Sequence, residues 1–543
     1  MNKNIFIVVG IILIVFFIVP QEQEPEMMDM HGMPCHQMGD GSWMGDCDES
    51  TEAMMDMPVM MAEGFLVEEM HMLASLPSSN PPSMVTVEDG ETFALSADVV
   101  RHTINGKEYA MYGYNQQIPG PIIKVAKEST ITVAFTNNID QETTIHWHGL
   151  RHDNKDDGVP GVSQDPVQPG ETFEYTVYFP DDGVYWYHPH VREDLQQDFG
   201  LAGNMLVFPS TKAPVNKEEV IMLDDILIEQ GEFVPYGEEH ANFALMGRFG
   251  NTMLVNGQTA YVLEANKGDV VRLYLTNVAN VRPFNLHIDG VQMKLVGSDM
   301  GMYEHEMIID NIIIAPAERY IVDVYLENEG SYNIENKNPQ KTYMMGSIVV
   351  TAESSQDDYS AEFNTLHTNN DVQQDIASFK EWFTKPVDYT LDLTVEMDMV
   401  HMMDMADHDD DGGIEWEDSM KMMNKQMTTE EVTWIIQDQE TNKQNMDFTM
   451  QANVGDVIKI RLVNDPDSAH PMQHPMHLHG QRFLVLNNNG VPNDNLVWKD
   501  TVLVPKGSTI DILVDVTNPG EWMMHCHIAE HLEAGMMTSL MVS

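Results

Sequence analysis

A pattern of short alternating strands occurs three times in this chain, and it restricts the fold more than any other feature. Each copy alternates apolar and polar residues up to an asparagine: VAKESTITVAFTN (125–137), EANKGDVVRLYLTN (264–277) and QANVGDVIKIRLVN (451–464). Alternating residues point to opposite faces of a strand, so one face can be buried. Repeated short strands of this kind favour β-sandwich domains.

A second unit follows each alternation and has the same order of elements in all three copies. It begins at Pro169, Pro316 or Pro505 with a turn, continues as an alternating strand, passes a glycine and ends in another strand. Internal repetition of this length predicts one structural domain per copy. The sequence therefore predicts an all-β chain of three β-sandwich domains.

The spacing of the copies predicts the domain boundaries and an insertion. Asn137 and Asn277 are 140 residues apart, but Asn277 and Asn464 are 187 residues apart. The difference indicates an insertion before the third copy, where a methionine-rich tract lies at about 396–427. The predicted boundaries of the domains are 84–210, 211–352 and 385–543, with a linker at 353–384.

The N-terminus has the features of an export signal. An apolar run from Ile5 to Val19 is as long as a signal-peptide core and shorter than the roughly 20 residues of a spanning helix. Residues 1–20 are therefore predicted to be a signal peptide or a membrane anchor. The protein is expected in the periplasm, at the cell surface or outside the cell, with an acidic, methionine-rich tail of low complexity at 21–83.

The charge of the chain argues against nucleic-acid binding, and its cysteine content argues against a disulfide-rich fold. The 86 acidic residues against 28 basic residues repel nucleic acid and attract cations. Three cysteines are too few for a disulfide scaffold. Cys35 and Cys47 can pair with each other or bind metal, which leaves Cys526 as the single remaining thiol.

Paired histidines occur in the first and third copies of the repeat but not in the middle one. Residues i and i+2 on a strand share a face, so each His-x-His pair presents two imidazoles together. The middle copy has HIDG (287–290) and Glu335 at the corresponding positions. Eight imidazoles suit a cluster of metal ions between the outer domains. The pairs are His146 with His148, His188 with His190, His477 with His479, and His525 with His527.

Cys526 lies between the two histidines of the last pair, so its sulfur is expected on the opposite face of the strand. A second metal would then bind this thiolate, and the cysteine backbone would join the two sites. His474, His531 and Met536 can complete a set of two histidines, one cysteine and a weak thioether, as in blue-copper sites. Zinc is the alternative, but structural zinc sites use shorter cysteine spacings and need no further histidines.

These four histidine motifs, in this order, resemble those of the three-domain multicopper oxidases, which include laccases, ascorbate oxidase and bacterial copper-resistance oxidases. The resemblance extends from about residue 84 to the C-terminus. It implies three cupredoxin-like Greek-key β-sandwich domains and four copper ions. The implied ligands are His474, Cys526, His531 and Met536 for type 1 copper, His146 and His477 for type 2, and His148, His188, His190, His479, His525 and His527 for the type 3 pair.

The resemblance also implies the reaction. A substrate would give up single electrons at the type 1 copper, and dioxygen would be reduced to two waters, a reaction that consumes protons. Glu530 and Asp157 match positions of proton-relaying acids in bacterial relatives, and the alternative for each is a solvated loop acid.

Methionine content suggests the reducing substrate. Of 44 methionines, thirteen lie in 27–72 and nine in 397–427, among acidic residues that an apolar core would exclude. Thioethers select Cu(I). Bacterial copper-resistance oxidases resemble this chain in the place and composition of such an insertion. The predicted substrate-copper residues are Met397, Met399, Met402, Met403 and Met405.

Several alternatives stay open at this stage. The leading prediction is a cuprous oxidase, and the alternatives are a broad laccase acting on phenols, or an oxidase of Fe(II) or Mn(II). A copper-sequestering binding protein is an alternative of another class. Met420, Met423 and Met427 have helical spacing and are expected on one face of a short lid helix. Cys35 and His36 belong to a tail that either gathers copper or acts as a solvated spacer.

Overall fold

A computed structural model describes residues 36–37, 43–44, 64–65, 70–208, 213–397 and 413–543. The predicted export segment, Cys35, Cys47 and four of the five predicted substrate methionines lie outside these residues. Met397 is the fifth, and it is half-buried against the core of the third repeat. No helix among the described residues is long and apolar enough to cross a membrane.

The first repeat forms two β-sheets. The alternation of its strands places Val133 and Phe135 on the buried face of the strand Thr130–Asn138. In sheet order, the first sheet contains Thr172–Tyr178, Thr130–Asn138, Thr92–Ile104 and Lys107–Tyr114. The second contains Met84–Thr86, Ile122–Ala126, Gly203–Phe208, Gly183–His188 and His146–His148.

The middle repeat has the same two-sheet arrangement. Its hydrophobic core lies between the sheets and includes Leu273, Val322 and Ile348. One sheet contains Thr252–Val255, Lys217–Ile226, Val270–Asn277, Arg319–Tyr325, Met293–Ser298 and Gly301–Ile309. The other contains Tyr261–Lys267, Thr342–Ser354, Gly330–Lys337, Phe284–Ile288 and Asn311–Ile314.

The third repeat is again a pair of sheets around an apolar core, which here includes Ile460, Leu478 and Ile512. The larger sheet contains Val432–Asp438, Tyr389–Met397, Val457–Asn464, Thr509–Asp515, Arg482–Asn488 and Val491–Pro492, with Trp498–Lys499 also paired to Arg482–Asn488. The smaller sheet contains Thr449–Ala452, Met537–Val542, Gly520–Cys526, His474–Leu478 and Thr501–Val504.

Helices are short and lie in the connections. The α-helices are Glu193–Gln196, Ser360–Asn364, Asn370–Ala377, Lys421–Gln426 and Ala529–Glu533, and the 3-10 turns are Met70–Ser75, Asn154–Asp156, Lys380–Trp382 and Asn445–Asp447. Two strand pairs, Ile228–Glu229 with Glu232–Phe233 and Gly64–Phe65 with Tyr236–Gly237, are minor. Met1–Met61 is a separate unit, which contains the two-stranded pair His36–Gln37 and Trp43–Met44.

The three predicted alternations each span two strands rather than one. In the first copy, residues 125–137 contain the end of Ile122–Ala126, a turn and most of Thr130–Asn138. Glu128 in this turn has a positive φ of 67°, which reverses the chain and moves the second strand to the other sheet. The prediction of three all-β repeats is confirmed.

Candidate metal centre

Neighbouring strands bring the four histidine pairs together. In the first repeat, His148 lies opposite Trp186 and His146 lies opposite His188 across two antiparallel strands. In the third repeat, His477 lies opposite His525 in the same way. The period of two along each strand therefore directs both histidines of a pair into one space.

All eight imidazoles converge on that space from the first and third repeats. The rings of His148 and His477 are stacked with centroids 3.7 Å apart, and those of His146 and His479 are 3.9 Å apart. His525 lies 5.4 Å from His527 by the same measure. Seven of these histidines are fully buried, and His190 has only 7% of its side chain exposed.

Hydrogen bonds show which nitrogen of each ring carries a proton. The Nδ1 atoms of His146, His188, His477 and His525 each face a backbone carbonyl oxygen, at 2.8 to 2.9 Å. A carbonyl only accepts hydrogen bonds, so Nδ1 is the protonated nitrogen and Nε2 carries the lone pair. Nε2 of His146, His188 and His477 has no hydrogen-bond partner within the described structure.

His148 has the opposite orientation. Its Nε2 lies 3.1 Å from Oδ1 of Asp500 and 3.1 Å from Oγ1 of Thr501, so Nε2 carries the proton. Its Nδ1 is buried and lacks a hydrogen-bond partner among the residues described. The lone pair of His148 is therefore on Nδ1.

His479 and His525 form the arrangement that best fits a cation. Their Nε2 atoms are 2.9 Å apart. Both Nδ1 protons are already donated, from His479 to Oδ2 of Asp157 and from His525 to the carbonyl oxygen of Cys526. Two lone pairs then face each other, an arrangement that a cation between them would stabilise. The eight histidines thus fit a group of metal ions.

Burial favours the neutral form of several of these imidazoles, which is the form that binds metal. Burial, together with neighbouring imidazoles, lowers the pKa of His479 to about 4 and holds the pKa of His188 and His525 well below the usual range. Burial also lowers the pKa of His527 to about 3. At neutral pH, their lone pairs are available.

Cys526 points to the opposite side of its strand. Its Sγ lies 3.6 Å from Nδ1 of His474 and 3.8 Å from Nδ1 of His531. All three side chains are buried, and the backbone N–H of Cys526 donates to the carbonyl oxygen of Met536, whose side chain is also buried. Burial raises the pKa of the thiol, so a bound cation is needed to hold it as thiolate.

Trp434 of the third repeat and a loop of the middle repeat cover this second site. The ring of Trp434 is stacked on that of His531 at 3.9 Å. Its Nε1 donates to the carbonyl oxygen of Ala244, and the N–H of Ala244 donates to the carbonyl oxygen of Met427. The second half of the insertion is therefore docked over the loop beside His531.

The two predicted acids have different surroundings and different charge states. Burial alone would raise the pKa of Asp157, but His479 and His146 outweigh it and hold the pKa well below its usual range. Burial, with nearby Asp194, raises the pKa of Glu530 to about 8. Asp157 is thus an ionised acceptor that orients histidines, whereas Glu530 retains its proton at neutral pH.

Sequence reasoning missed several residues that contact the site. Asp500 and Thr501 orient His148, Trp434 covers His531, and Glu193 lies 3.3 Å from Nδ1 of His190. None belongs to a histidine motif, and all these contacts except that of Glu193 with His190 join positions far apart in the sequence. Arg319, which contacts Asp500, could have been found by comparing the repeats. It lies three residues after the proline that begins the second unit of the middle copy, where the outer copies have Thr172 and Ser508.

Comparisons with known proteins agree with this geometry. Three family models, each described as multicopper oxidase, match residues 97–212, 218–354 and 415–543. Multicopper oxidase mco of Staphylococcus epidermidis is 28% identical, over 79% of this chain and 83% of its own. Copper resistance protein A of Escherichia coli is 23% identical, over 83% and 93%. A multi-copper oxidase structure from Pseudomonas Thermotolerans is 26% identical, with a TM-score of 0.62 over 85% and 100%.

The chain belongs to the multicopper oxidases. Its sandwiches are accordingly cupredoxin-like, as predicted, and its cofactor is copper of types 1, 2 and 3. The protein is a copper-dependent oxidoreductase with dioxygen as electron acceptor.

Proposed function

We propose that the protein is an exported cuprous oxidase, which converts Cu(I) to Cu(II) in copper detoxification. The observation that carries the proposal is the docking of the methionine-bearing segment 413–427 beside His531. Relatives include a protein named for copper resistance, in agreement with this substrate. The apolar run at 5–19 supports export, by a cleaved signal or a membrane anchor.

Two observations support the proposed copper ligands: ring nitrogens of the imidazole cluster that lack hydrogen-bond partners, and the convergence of Cys526 with His474 and His531. When bound, copper supplies one-electron transfer from the reductant and the reduction of dioxygen to water. We assign type 1 copper to His474, Cys526, His531 and Met536, type 2 to His146 and His477, and type 3 to His148, His188, His190, His479, His525 and His527.

The protein supplies protons and fixed ligand orientations to this reaction. Glu530 is buried, and its Oε1 accepts a 3.4 Å hydrogen bond from Asn280. Its raised pKa makes it a proton donor at neutral pH. Asp157 accepts from His479 through its carboxylate and from His146 through its backbone oxygen, so it fixes one imidazole from each outer repeat.

Methionines of the insertion and of the adjoining loop share the hydrophobic core that contains Cys526 and Met536. Met246 is fully buried next to Leu245, and its Sδ is 3.8 Å from the hydroxyl oxygen of Ser419. Met427 is buried, whereas Met420 and Met423 are partly exposed against the same core. A graded series of soft ligands from solvent inward suits delivery of Cu(I).

Substituting the methionines of the insertion tests the substrate. A variant with Met399, Met402, Met403 and Met405 all changed to leucine keeps the length of the tract but loses its thioethers. We expect at least about a tenfold loss of kcat/KM for Cu(I), with phenol oxidation unchanged or faster. The matched control changes four methionines of the N-terminal tail, Met54, Met55, Met57 and Met60, to leucine.

Other outcomes would identify the alternative functions. Equal loss of Cu(I) and phenol turnover, or no loss of either, would contradict a dedicated Cu(I) path and favour a broad laccase or an oxidase of Fe(II). A sequestering protein is tested by His525→Ala in cells. If copper tolerance survives this variant, binding rather than oxidation protects the cell.

A further inference from the structure

The middle repeat has no histidine pair, yet one of its side chains reaches the imidazole cluster. Arg319 begins the strand Arg319–Tyr325 and is fully buried. Its Nε donates to the carbonyl oxygen of Val184 in the first repeat, at 2.9 Å. Its Nη1 donates to Oδ1 of Asp500 in the third repeat, at 2.6 Å. A single guanidinium therefore joins all three repeats.

Asp500, the partner of Arg319, is hydrogen-bonded to two histidines. Its Oδ1 accepts from Nε2 of His148 at 3.1 Å, and its backbone oxygen accepts from Nδ1 of His477 at 2.9 Å. The guanidinium nitrogens Nη1 and Nη2 donate to the two carboxylate oxygens of Asp500, so the plane of the carboxylate is fixed. The carboxylate in turn determines that His148 presents Nδ1 to the cluster. Its Oδ1 also lies 3.6 Å from Nδ1 of His477, so the same carboxylate faces a proposed ligand of type 2 copper.

Further charges hold this pair in place. Oδ1 of Asp299 accepts from the backbone N–H of Arg319 at 2.9 Å, and Oδ2 of Asp299 lies 3.2 Å from Nζ of Lys499. The charges thus alternate, and none of these groups is buried alone. Gly149, directly after His148, leaves room for the pair, because a Cβ there would lie 2.4 Å from Oδ2 of Asp500.

We propose that Arg319 is a positioning residue for the trinuclear copper site, which consists of type 2 copper and the type 3 pair. It acts through Asp500 on His148 and His477. The inference rests on the proposed assignment of those histidines as copper ligands. The middle repeat then contributes to the copper site although it has no histidine pair, because it fixes the orientation of one ligand from each outer repeat.

The test compares two buried arginines of the middle repeat. Lysine at 319 keeps the charge but cannot grip a carboxylate with two parallel bonds. Arg272 is the matched control: it is equally buried and makes two hydrogen bonds to Asp323, at 2.7 and 2.9 Å. Arg319→Lys and Arg272→Lys therefore remove the same kind of ion pair, but only the first faces the cluster.

The readouts are copper content and spectra of the purified full-length holoenzyme. We expect Arg319→Lys to keep the red absorption band of type 1 copper, to change the electron paramagnetic resonance spectrum of type 2 copper, and to weaken copper retention at the cluster about tenfold to a hundredfold. Arg272→Lys is expected to match wild type in all three. Asp500→Asn, which keeps the shape of the side chain, should reproduce the type 2 change if Arg319→Lys folds poorly.

Failure of the ligand assignment and failure of the positioning role give different results. If wild-type protein showed no type 2 signal, the ligand assignment itself would be wrong. If wild type showed that signal, and Arg319→Lys and Asp500→Asn left it unchanged, the assignment would stand and the positioning role would be overturned.

Discussion

Cys526 and its two neighbouring histidines point to opposite faces of one strand, so they belong to different metal sites. Cys526 directs its sulfur towards His474 and His531, whereas His525 and His527 on either side point into the imidazole cluster. Ligands of the two sites are therefore adjacent residues in the chain. This arrangement fits the short covalent path for electrons that the sequence predicts.

Replacement of this thiol tests that separation. Cys526→Ser should abolish the intense red absorption and lower turnover at least about a hundredfold, because serine cannot supply the soft, ionised ligand. The near-ultraviolet shoulder of the coupled type 3 pair should remain, since His525 and His527 are unchanged. Absorption spectra of the copper-loaded variant check both expectations. Loss of both bands together would contradict two separate sites.

Glu530 makes stability depend on pH. Burial raises its pKa from 4.5 in the unfolded chain to about 8 in the folded protein. The folded state binds this proton more tightly, so the stabilisation is fully present below the unfolded pKa and is lost as pH rises through about 8. The contribution is at most about 5 kcal/mol.

Glu530→Gln removes this titration. Between about pH 5 and about pH 9, the free energy of unfolding of the metal-free protein should fall more for wild type than for the variant. Denaturant unfolding at the two pH values provides the measurement. Glu521→Gln, on the half-buried start of the same strand as Cys526, is the control and should behave as wild type. An identical pH dependence for wild type and Glu530→Gln would show that the carboxyl is ionised throughout.

At the scale of elements, local patterns predicted the strands and the histidine pairs, but not what surrounds them. The period of two places His146 and His148 together whatever the rest of the fold does. The contact between Arg319 and Asp500 joins two repeats and has no local pattern. Alternation also did not reveal that the turn at Glu128 divides the first tract into two strands.

A buried amide in the insertion bonds to the loop of the middle repeat. Asn424, in the helix Lys421–Gln426, accepts from the N–H of Met246 and donates to the carbonyl oxygen of Gly247, both at 2.9 Å. Of the three methionines predicted on one face of a short helix, only Met423 lies within it, whereas Met420 and Met427 flank its two ends. Asn424 thus links the insertion to the loop beside His531.

Asn424→Ala should release this segment. We expect a loss of about 1–3 kcal/mol in the free energy of unfolding, because buried backbone groups lose their partner, and faster oxidation of bulky phenols. Lys425→Ala is the control, since its ion pair with Glu229 is exposed and worth at most about 1 kcal/mol. Thermal unfolding and phenol kinetics provide the measurements. Unchanged phenol kinetics would show that the segment does not restrict access.

The charge of the whole molecule opposes its compactness. The formal net charge is -58, and salt screens the resulting repulsion over a Debye length that falls from about 30 Å at 0.01 M to about 3 Å at 1 M. The midpoint of thermal unfolding should therefore rise by on the order of 5 °C over this range of NaCl. A constant or falling midpoint would mean that the acidic residues are already compensated by pairing.

The same field acts on the approach of the reductant. A strongly negative surface attracts Cu(I) or Fe(II) and repels anionic reductants, and such steering changes association rates by about tenfold or more at low ionic strength. We expect kcat/KM for a cationic reductant to fall as NaCl rises and that for a sulfonated, anionic phenol to increase. A neutral phenol is the control, because it responds to salt only through changes in the protein. If all three respond alike, salt acts on the enzyme itself, and the acidic surface has no part in selecting a cationic substrate.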